Sequence, residues 1–349
     1  MKRIGVLGAG SWGTALAVHL AGAGGHAVAL WARHPQLAER LAAERENRDY
    51  LPGIEIPRGV EPTAEMAALA GCEVVLVVVP SHGFRAVLRQ FLATAGGGWE
   101  SGDPAGPGGH RPLVLVSATK GIETDTLARM SQVAAEETAA AGRPLRFAAL
   151  AGPSFAAELA RNVPSAVVIA SADAALATEI REALSTPAMR LYSSADVVGV
   201  ELGGATKNVI AIAAGTVSGL GLGHNTLAAL ITRGLHEITR LGVACGGQPR
   251  TFAGLAGLGD LVLTCTGALS RNRRAGMEVA AGVSLAQITG GPMVAEGIRN
   301  SVAIARLAAR HGVEMPITEQ MVAVLHQGKD PRRALEELMT RGLKAETEL

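Results

Sequence analysis

Three observations in the sequence predict an α/β chain with a doubly wound parallel sheet first and an all-helical domain second. Short apolar runs alternate with helical patterns through the first two-thirds, the signature of parallel strands joined by crossover helices. A glycine-rich turn, Gly8-Ala9-Gly10-Ser11-Trp12-Gly13, follows the first of these runs and opens a helical stretch. From about Val197 onward strand-like runs stop, and helical patterns follow one another to the C-terminal region.

In chain order, the expected buried strands are Ile4–Leu7, Ala27–Trp31, Val74–Val79, Leu113–Ser117, Phe147–Leu150 and Ala166–Ala170. The run Val74–Val79 is apolar at every position and lacks polar alternation, as a strand covered on both faces should. It ends at Pro80-Ser81-His82, a loop start. Ten of the seventeen residues from Gly96 to Pro112 are Gly or Pro, which reads as a surface excursion. Helices are expected at 199–218, 225–242, 275–288, 297–311, 316–327 and 331–341. The last is announced by Asp330-Pro331, a capping residue followed by proline at the first helical position. The two domains therefore meet near 190–198, dividing 1–192 from 193–349, and a ligand is expected in the cleft between them.

Composition bounds the function. The 349 residues carry 32 Lys+Arg against 31 Asp+Glu, a net charge of +1, which excludes the broad basic footprint of a nucleic-acid or anionic-membrane binder. Hydrophobic content of 48% with 18% charged residues is a folding composition, long enough for about two domains at roughly 150 residues each. The 44 glycines follow no three-residue repeat, so collagen is excluded. The three cysteines, Cys72, Cys245 and Cys265, are odd in number and lack CxxC spacing, so reduced thiols are expected rather than disulfides or zinc. Met1-Lys2-Arg3 runs straight into Ile4-Gly5-Val6-Leu7, with no long apolar signal core behind the charges. The most apolar later stretch, Val209–Gly223, is interrupted by four glycines and is too short to span a bilayer. The cytoplasm is the expected location. The histidines are scattered and no metal-ligand spacing occurs, so no metal is expected.

The glycine turn carries the first chemical signal. Gly8 permits a tight turn, Gly10 close backbone approach to a pyrophosphate, and Gly13 close helix–strand packing, in the manner of a Rossmann-type dinucleotide site. The helix that the turn opens, Thr14–Leu20, then offers the N–H groups of its N-terminus and a positive dipole end to the phosphates. After the second strand comes Leu30-Trp31-Ala32-Arg33-His34, without the carboxylate that would hold the ribose hydroxyls of NADH. Arg33 with His34 either pairs with a 2′-phosphate, which favours NADPH over NADH, or is a solvated surface pair.

Lysine carries the second signal. Only Lys2, Lys120, Lys207, Lys329 and Lys344 occur in a chain that otherwise uses arginine for positive charge. Arginine keeps its proton in proteins, whereas burial and neighbouring charge can tune a lysine to release it. Lys120 follows the strand Leu113–Ser117, at the carboxyl edge where open α/β sheets bind ligands. Lys207 sits on a helix, and helical side chains lean over positions three and four residues earlier. Those positions are Gly204 and Gly203, which either leave room for a small substrate and a nicotinamide ring or tighten a helix crossing while the lysine snorkels outward. Ser270-Arg271-Asn272 likewise reads two ways, as donors for a phosphate or as a solvated basic turn continued by Arg273 and Arg274.

Seven blocks in order give a resemblance. They are the turn from Gly8 to Gly13, Val79-Pro80-Ser81-His82, Ala118-Thr119-Lys120-Gly121, Ala151-Gly152-Pro153-Ser154-Phe155-Ala156, Gly203-Gly204-Ala205-Thr206-Lys207-Asn208, Ala256-Gly257-Leu258-Gly259-Asp260-Leu261 and Ser270-Arg271-Asn272-Arg273-Arg274. Together they resemble the bacterial NAD(P)-dependent glycerol-3-phosphate dehydrogenases over nearly the whole chain. The Gly/Pro-rich excursion departs from the compact form of that family without touching a motif.

The resemblance implies reversible reduction of dihydroxyacetone phosphate to sn-glycerol 3-phosphate, a phospholipid precursor. It implies cofactor contacts from Ser11, Trp12, Arg33, His34, Lys120, Ala156, Arg271, Val294 and Glu296. Substrate contacts are implied for Lys120, Gly152, Ser154, Lys207, Asp260, Ser270, Arg271 and Asn272, with Lys207 as proton acceptor. In such a reaction Lys207 would protonate the alkoxide left by hydride transfer, and Lys120 would hold down its pKa and polarise the carbonyl. Asp260 is ambiguous: it hydrogen-bonds either a lysine or a substrate hydroxyl, and a carboxylate too close to Lys207 opposes that depression. The competing readings are a related two-domain hydroxyacid or sugar-acid dehydrogenase and a non-catalytic nucleotide-binding redox sensor. Neither nucleic acid nor membrane insertion is expected, and the oligomeric state is open, a homodimer included.

Overall fold

The computed structural model describes residues 1–94, 112–290, 295–342 and 345–346. Most of the Gly/Pro-rich excursion, and Val294, lie outside the described residues. The chain divides into two compact units, Met1–Thr119 with Met130–Val197, and Lys120–Arg129 with Val198–Leu349.

The first unit is built on ten strands: β1 (Arg3–Leu7), β2 (Ala27–Trp31), β3 (Glu46–Asn47), β4 (Leu51–Glu55), β5 (Val60–Thr63), β6 (Val74–Val77), β7 (Leu113–Ser117), β8 (Leu145–Ala151), β9 (Ser165–Ala170) and β10 (Met189–Ser194). Eight of them form one sheet in the order β10-β9-β8-β7-β6-β1-β2-β5, and β3 pairs with β4 alone. From β1 the chain builds outward through β2 and β5, then returns to β6 on the other side of β1 and continues outward from there. The reversal between β1 and β6 is the switch point at which doubly wound sheets bind ligands. All four residues of β6 are buried, as its unbroken apolar run requires.

One pairing departs from the expected parallel sheet, because β8 and β9 run antiparallel. Their connection holds only the helix Ala156–Ala160, five residues long. A helix of that length rises about 7 Å, far less than the roughly 20 Å needed to carry the chain back along a strand like β8. The chain therefore reverses at the carboxyl end of β8 instead of crossing over the sheet face.

The second unit is helical and packs around Val197–Gly219, whose residues from Gly199 to Val217 are all buried. A helix apolar on every side belongs in a core. At 23 residues it is long enough to cross a membrane by length and composition, but 89% of its apolar window is covered by the protein itself. Around it stand Gly223–Ala244, Asp260–Thr266, Arg271–Ala280, Glu296–Arg310, Pro316–Gln327 and Pro331–Met339.

The helix expected at 275–288 is two helices, Arg271–Ala280 and Leu285–Thr289. Gly282 between them has φ +79°, and Ser284 starts the second with a reciprocal cap to Gln287. As expected, Asp330 caps the last helix, its carboxylate accepting from Arg332 N at 2.8 Å and Arg333 N at 3.1 Å. A Cβ on Gly276 would lie 1.9 Å from the Ile212 carbonyl oxygen. This glycine lets Arg271–Ala280 press onto the central helix backbone to backbone.

Candidate active site

In the sheet unit the glycine turn leaves β1 at the switch point. Gly8 has φ +122°, and a Cβ there would lie 2.4 Å from the Val78 carbonyl oxygen at the end of β6. A Cβ on Gly13 would lie 1.8 Å from the Gly8 carbonyl oxygen, so neither position admits another residue without displacing backbone. Gly10 faces open space, with nothing within 4 Å of the corresponding Cβ position. It is also the N-cap of the helix Ser11–Gly22 and, as glycine, brings no side chain to the helix start. The Trp12 Nε1 atom is buried without a hydrogen-bond partner among the described residues.

Two residues that the sequence did not single out brace this turn. Asn47 Nδ2 donates to Ala9 O at 3.0 Å and to Thr14 Oγ1 at 2.7 Å, tying the turn to the helix it opens. The Ser11 hydroxyl donates to Tyr50 O at 2.6 Å. Both come from the small β3–β4 region, where a two-residue strand leaves no periodic pattern to read.

Arg33 and His34 are exposed just beyond β2, and His34 is the N-cap of the helix Pro35–Glu44. At the carboxyl end of β8, Gly152 has φ +136° and accepts the Ser154 hydroxyl at 3.0 Å. Ala156 opens the short helix that comes next.

The helical unit gathers the two lysines around one carboxylate. Lys207 Nζ donates to Asp260 Oδ1 at 2.5 Å and to Thr264 Oγ1 at 2.7 Å, and Lys120 Nζ donates to Asp260 Oδ2 at 2.7 Å. The Thr264 hydroxyl donates in turn to Asp260 O at 2.5 Å, which commits its lone pairs to Lys207. Lys207 is 5% exposed and Asp260 1%. An ammonium carries three N–H groups. Among the described residues, the bonds to Asp260 and Thr264 leave Lys207 one of these N–H groups for an incoming oxygen.

Burial pushes Lys207 down to about 8, Asp260 pulls it up, and Lys120 pushes it down. Desolvation thus outweighs the attraction of Asp260. That carboxylate is a shared counter-ion that moderates the lysine without cancelling the depression. Asp260 itself is held below its ordinary value; burial alone would raise it, and the two ammoniums more than offset that.

Asp260 reaches this position through a π-helical turn, Leu255–Gly259, which runs directly into the helix Asp260–Thr266. Such turns add a residue to the ladder and rotate the helix beyond them. A Cβ on Gly203 would lie 2.6 Å from the Ala256 carbonyl oxygen. The space expected over Gly203 for substrate and nicotinamide is therefore filled by that turn, and Gly203 serves tight packing. The lysine does not snorkel outward.

The remaining residues stand nearby in sequence order. Ser270 is buried and caps Arg271–Ala280, accepting from Arg273 N at 3.2 Å. Asn272 donates to Asn208 Oδ1 at 2.9 Å and accepts from Gly297 N at 3.0 Å, so it cross-links three helices. Arg271 is exposed at the first position of its helix. Glu296 is pushed up to about 7 by burial, while Arg299 and Arg271 draw it down. One of its carboxylate oxygens is buried without a hydrogen-bond partner among the described residues.

Sequence comparison decides the family. The profile described as NAD-dependent glycerol-3-phosphate dehydrogenase N-terminus matches residues 3–177, and the corresponding C-terminus profile matches residues 196–336. The chain belongs to the NAD-dependent glycerol-3-phosphate dehydrogenase family. It is 52% identical over 344 residues to glycerol-3-phosphate dehydrogenase [NAD(P)+] of Koribacter versatilis, covering 98% of each chain. It is 51% identical over 351 residues to the enzyme of that name in Geobacter sulfurreducens, covering 99% of each. The crystal structure of glycerol-3-phosphate dehydrogenase from Coxiella burnetii superposes with a TM-score of 0.88 at 38% identity, covering 97% of this chain and 99% of that one.

As a member of this family the protein is an NAD(P)-dependent oxidoreductase, and the sensor and hydroxyacid readings give way. The residues present fit a dinucleotide. The turn from Gly8 to Gly13 is a cradle that a Cβ would fill, the helix behind it starts without a capping side chain, and Gly10 is open among the described residues. These are the donors and the clearance that a pyrophosphate needs.

Proposed function

We propose that this enzyme reversibly reduces dihydroxyacetone phosphate to sn-glycerol 3-phosphate, with Lys207 Nζ carrying the proton. A bound nicotinamide supplies or takes the hydride at C2. The observation that carries the reading is the buried Lys207, with a pKa lowered to about 8, donating to Asp260 and Thr264 and with its third N–H uncommitted among the described residues.

A pKa of about 8 leaves roughly nine-tenths of the amine protonated near pH 7. In the reductive direction the Lys207 ammonium gives its proton to the oxygen that was the carbonyl. In the oxidative direction the neutral amine takes a proton from the C2 hydroxyl. Such a positioned acid contributes about 10²–10⁴-fold. Thr264 and Asp260 fix the amine's direction and return it to the same rotamer after each transfer. Lys120 brings a second positive charge to the developing alkoxide.

In this reading Gly152, Ser154, Ser270 and Arg271 complete the substrate contacts, and the phosphate lies against the donors at the start of Arg271–Ala280. Asn272 acts mainly as a cross-link, since its carbonyl and one amide hydrogen are already engaged. Ser11, Trp12, Ala156 and Glu296 meet the cofactor, and Arg33 with His34 tips its choice toward NADPH. The substrate is a free small phosphorylated ketone, and the reaction runs in the cytoplasm.

Replacing Lys207 with Met keeps the volume and removes the proton. Turnover should fall by about 10³-fold or more while NADPH still binds by fluorescence titration. A Lys207→Met enzyme with near wild-type kcat would remove the lysine from the chemistry. Dihydroxyacetone without its phosphate serves as the control substrate.

A further inference from the structure

Lys120 stands at the head of a ten-residue segment, Lys120–Arg129, which the chain contributes to the helical unit before returning to the sheet unit at Met130. The segment is closed on itself. Ile122 and Arg129 form an antiparallel bridge, Glu123 N donates to Ala128 O at 2.9 Å, and Leu127 N donates to Glu123 O at 2.9 Å. Leu127 is held at φ +65°, a conformation that a non-glycine residue keeps only when its surroundings enforce it. The enforcement is visible, for Ile122 and Leu127 are buried in the apolar core of the helical unit. Arg306 donates to the Thr124 carbonyl at 3.1 Å, and Arg310 to that of Thr126 at 3.4 Å.

At the closing end, Arg129 Nη1 meets Glu201 Oε2 at 2.7 Å, with the two side chains 18% and 5% exposed. Glu201 lies on the helix that carries Lys207. A buried ion pair is a poor source of stability, because desolvation consumes most of the attraction and an apolar pair of similar volume often serves as well. What such a pair supplies is register. The bridge between Ile122 and Arg129 places Arg129 across the segment from a residue two positions after Lys120. Fixing one end of the closed segment on the Lys207 helix therefore fixes the other end.

We infer that the Arg129–Glu201 pair is a positioning device that seats Lys120 on Asp260 and through it sets the proton affinity of Lys207. The inference rests on the reading of Lys207 as proton carrier. The pair acts through the segment that carries Lys120. The charged and titratable groups facing Lys207 are Asp260, Lys120 and the Cys265 thiol, and Arg129 faces Glu201 and the Cys245 thiol. If Lys120 drifts from its seat, Lys207 loses a neighbouring positive charge and gains a larger share of Asp260. Both changes raise its proton affinity.

The test is the paired variant Arg129→Met with Glu201→Leu, which replaces the buried charges with apolar side chains, and Glu201→Gln as a second variant with the volume kept. The pH midpoint of kcat/KM for dihydroxyacetone phosphate reduction should move alkaline by about half a unit or more. KM should rise about fivefold or more as Lys120 is misplaced, with the melting temperature of the paired variant little changed. In a Lys120→Met background the paired change should add nothing further to the midpoint, since the group it positions is gone. A variant that melts earlier with an unmoved midpoint, or an additive shift in the Lys120→Met background, would overturn the inference and leave the pair a structural strut. Wild-type enzyme with no midpoint near pH 8 would instead strike the proton-carrier reading beneath it, so the two failures are told apart.

Discussion

Replacing Asp260 with Asn removes the negative charge that Lys207 and Lys120 share and keeps the side-chain shape. Asp260 is the largest influence raising Lys207, and the contact is 2.5 Å. Unit charges about 4 Å apart in a medium of effective dielectric about 20 interact by about 4 kcal/mol, equivalent to roughly three pKa units. The amide oxygen keeps part of the hydrogen bond, so a fall of about two units is the working figure, from about 8 to about 6. Near pH 7 the protonated fraction then drops from about nine-tenths to about one-tenth, and kcat/KM for reduction drops about tenfold from this cause alone. Activity should recover on acidification through the new midpoint, and oxidation should reach its plateau at lower pH than in wild type. The assay is NADPH absorbance followed in both directions across a pH series, with a melting curve to confirm that the variant is folded. A midpoint that stays put, or moves alkaline, would refute the assignment of Asp260 as counter-ion to the proton carrier.

Two further outcomes are expected from other parts of the molecule. Arg33→Ala should raise KM for NADPH about tenfold and leave NADH nearly unchanged, because an exposed guanidinium discriminates only through the 2′-phosphate; equal effects on both cofactors would exclude that contact. Glu237 is pushed up to about 7 by burial, although the backbone and hydroxyl donors of Ile317 and Thr318 pull it down. A carboxyl whose folded pKa is raised stabilises most below its unfolded value and loses that contribution as pH rises through about 7. The wild-type melting temperature should therefore decline over this range, and Glu237→Gln should flatten the decline; identical slopes would contradict it.

The sequence makes the central sheet legible because strands buried on both faces leave continuous apolar runs, as at Val74–Val77. It is silent about β3 to β5 for equally physical reasons. β3 is two residues long, and β5 is an edge strand that tolerates Pro62 in its middle. β10 does alternate, Met189 and Leu191 inward against Arg190 and Tyr192, but ends in two serines that mask it. The antiparallel turn between β8 and β9 depends on the shortness of one helix, which no residue pattern announces.

In the site, scarcity exposes Lys120 and Lys207, and glycine spacing exposes the dinucleotide turn. The partnership of Lys207 with Asp260 spans 53 residues and depends on a π-helical turn, so it becomes visible only in the fold. Asn47 is invisible for the same kind of reason, since its amide is useful only because of the groups across from it. Gly203 shows the reverse error. A missing side chain reads as open space until the neighbour that occupies it, the Ala256 carbonyl, is known.

The scarcity of lysine also makes the decisive measurement practical. With five lysines in the chain, an enzyme labelled at lysine Cε and Nζ gives a spectrum that single substitutions can assign, and each ammonium can be titrated by NMR. One resonance should titrate at about 8 in the free enzyme and be missing from Lys207→Met. If the resonance lost in Lys207→Met instead titrates near the ordinary lysine value of about 10.4, no amine in this fold is poised to trade a proton with substrate, and Lys207 is not the proton carrier.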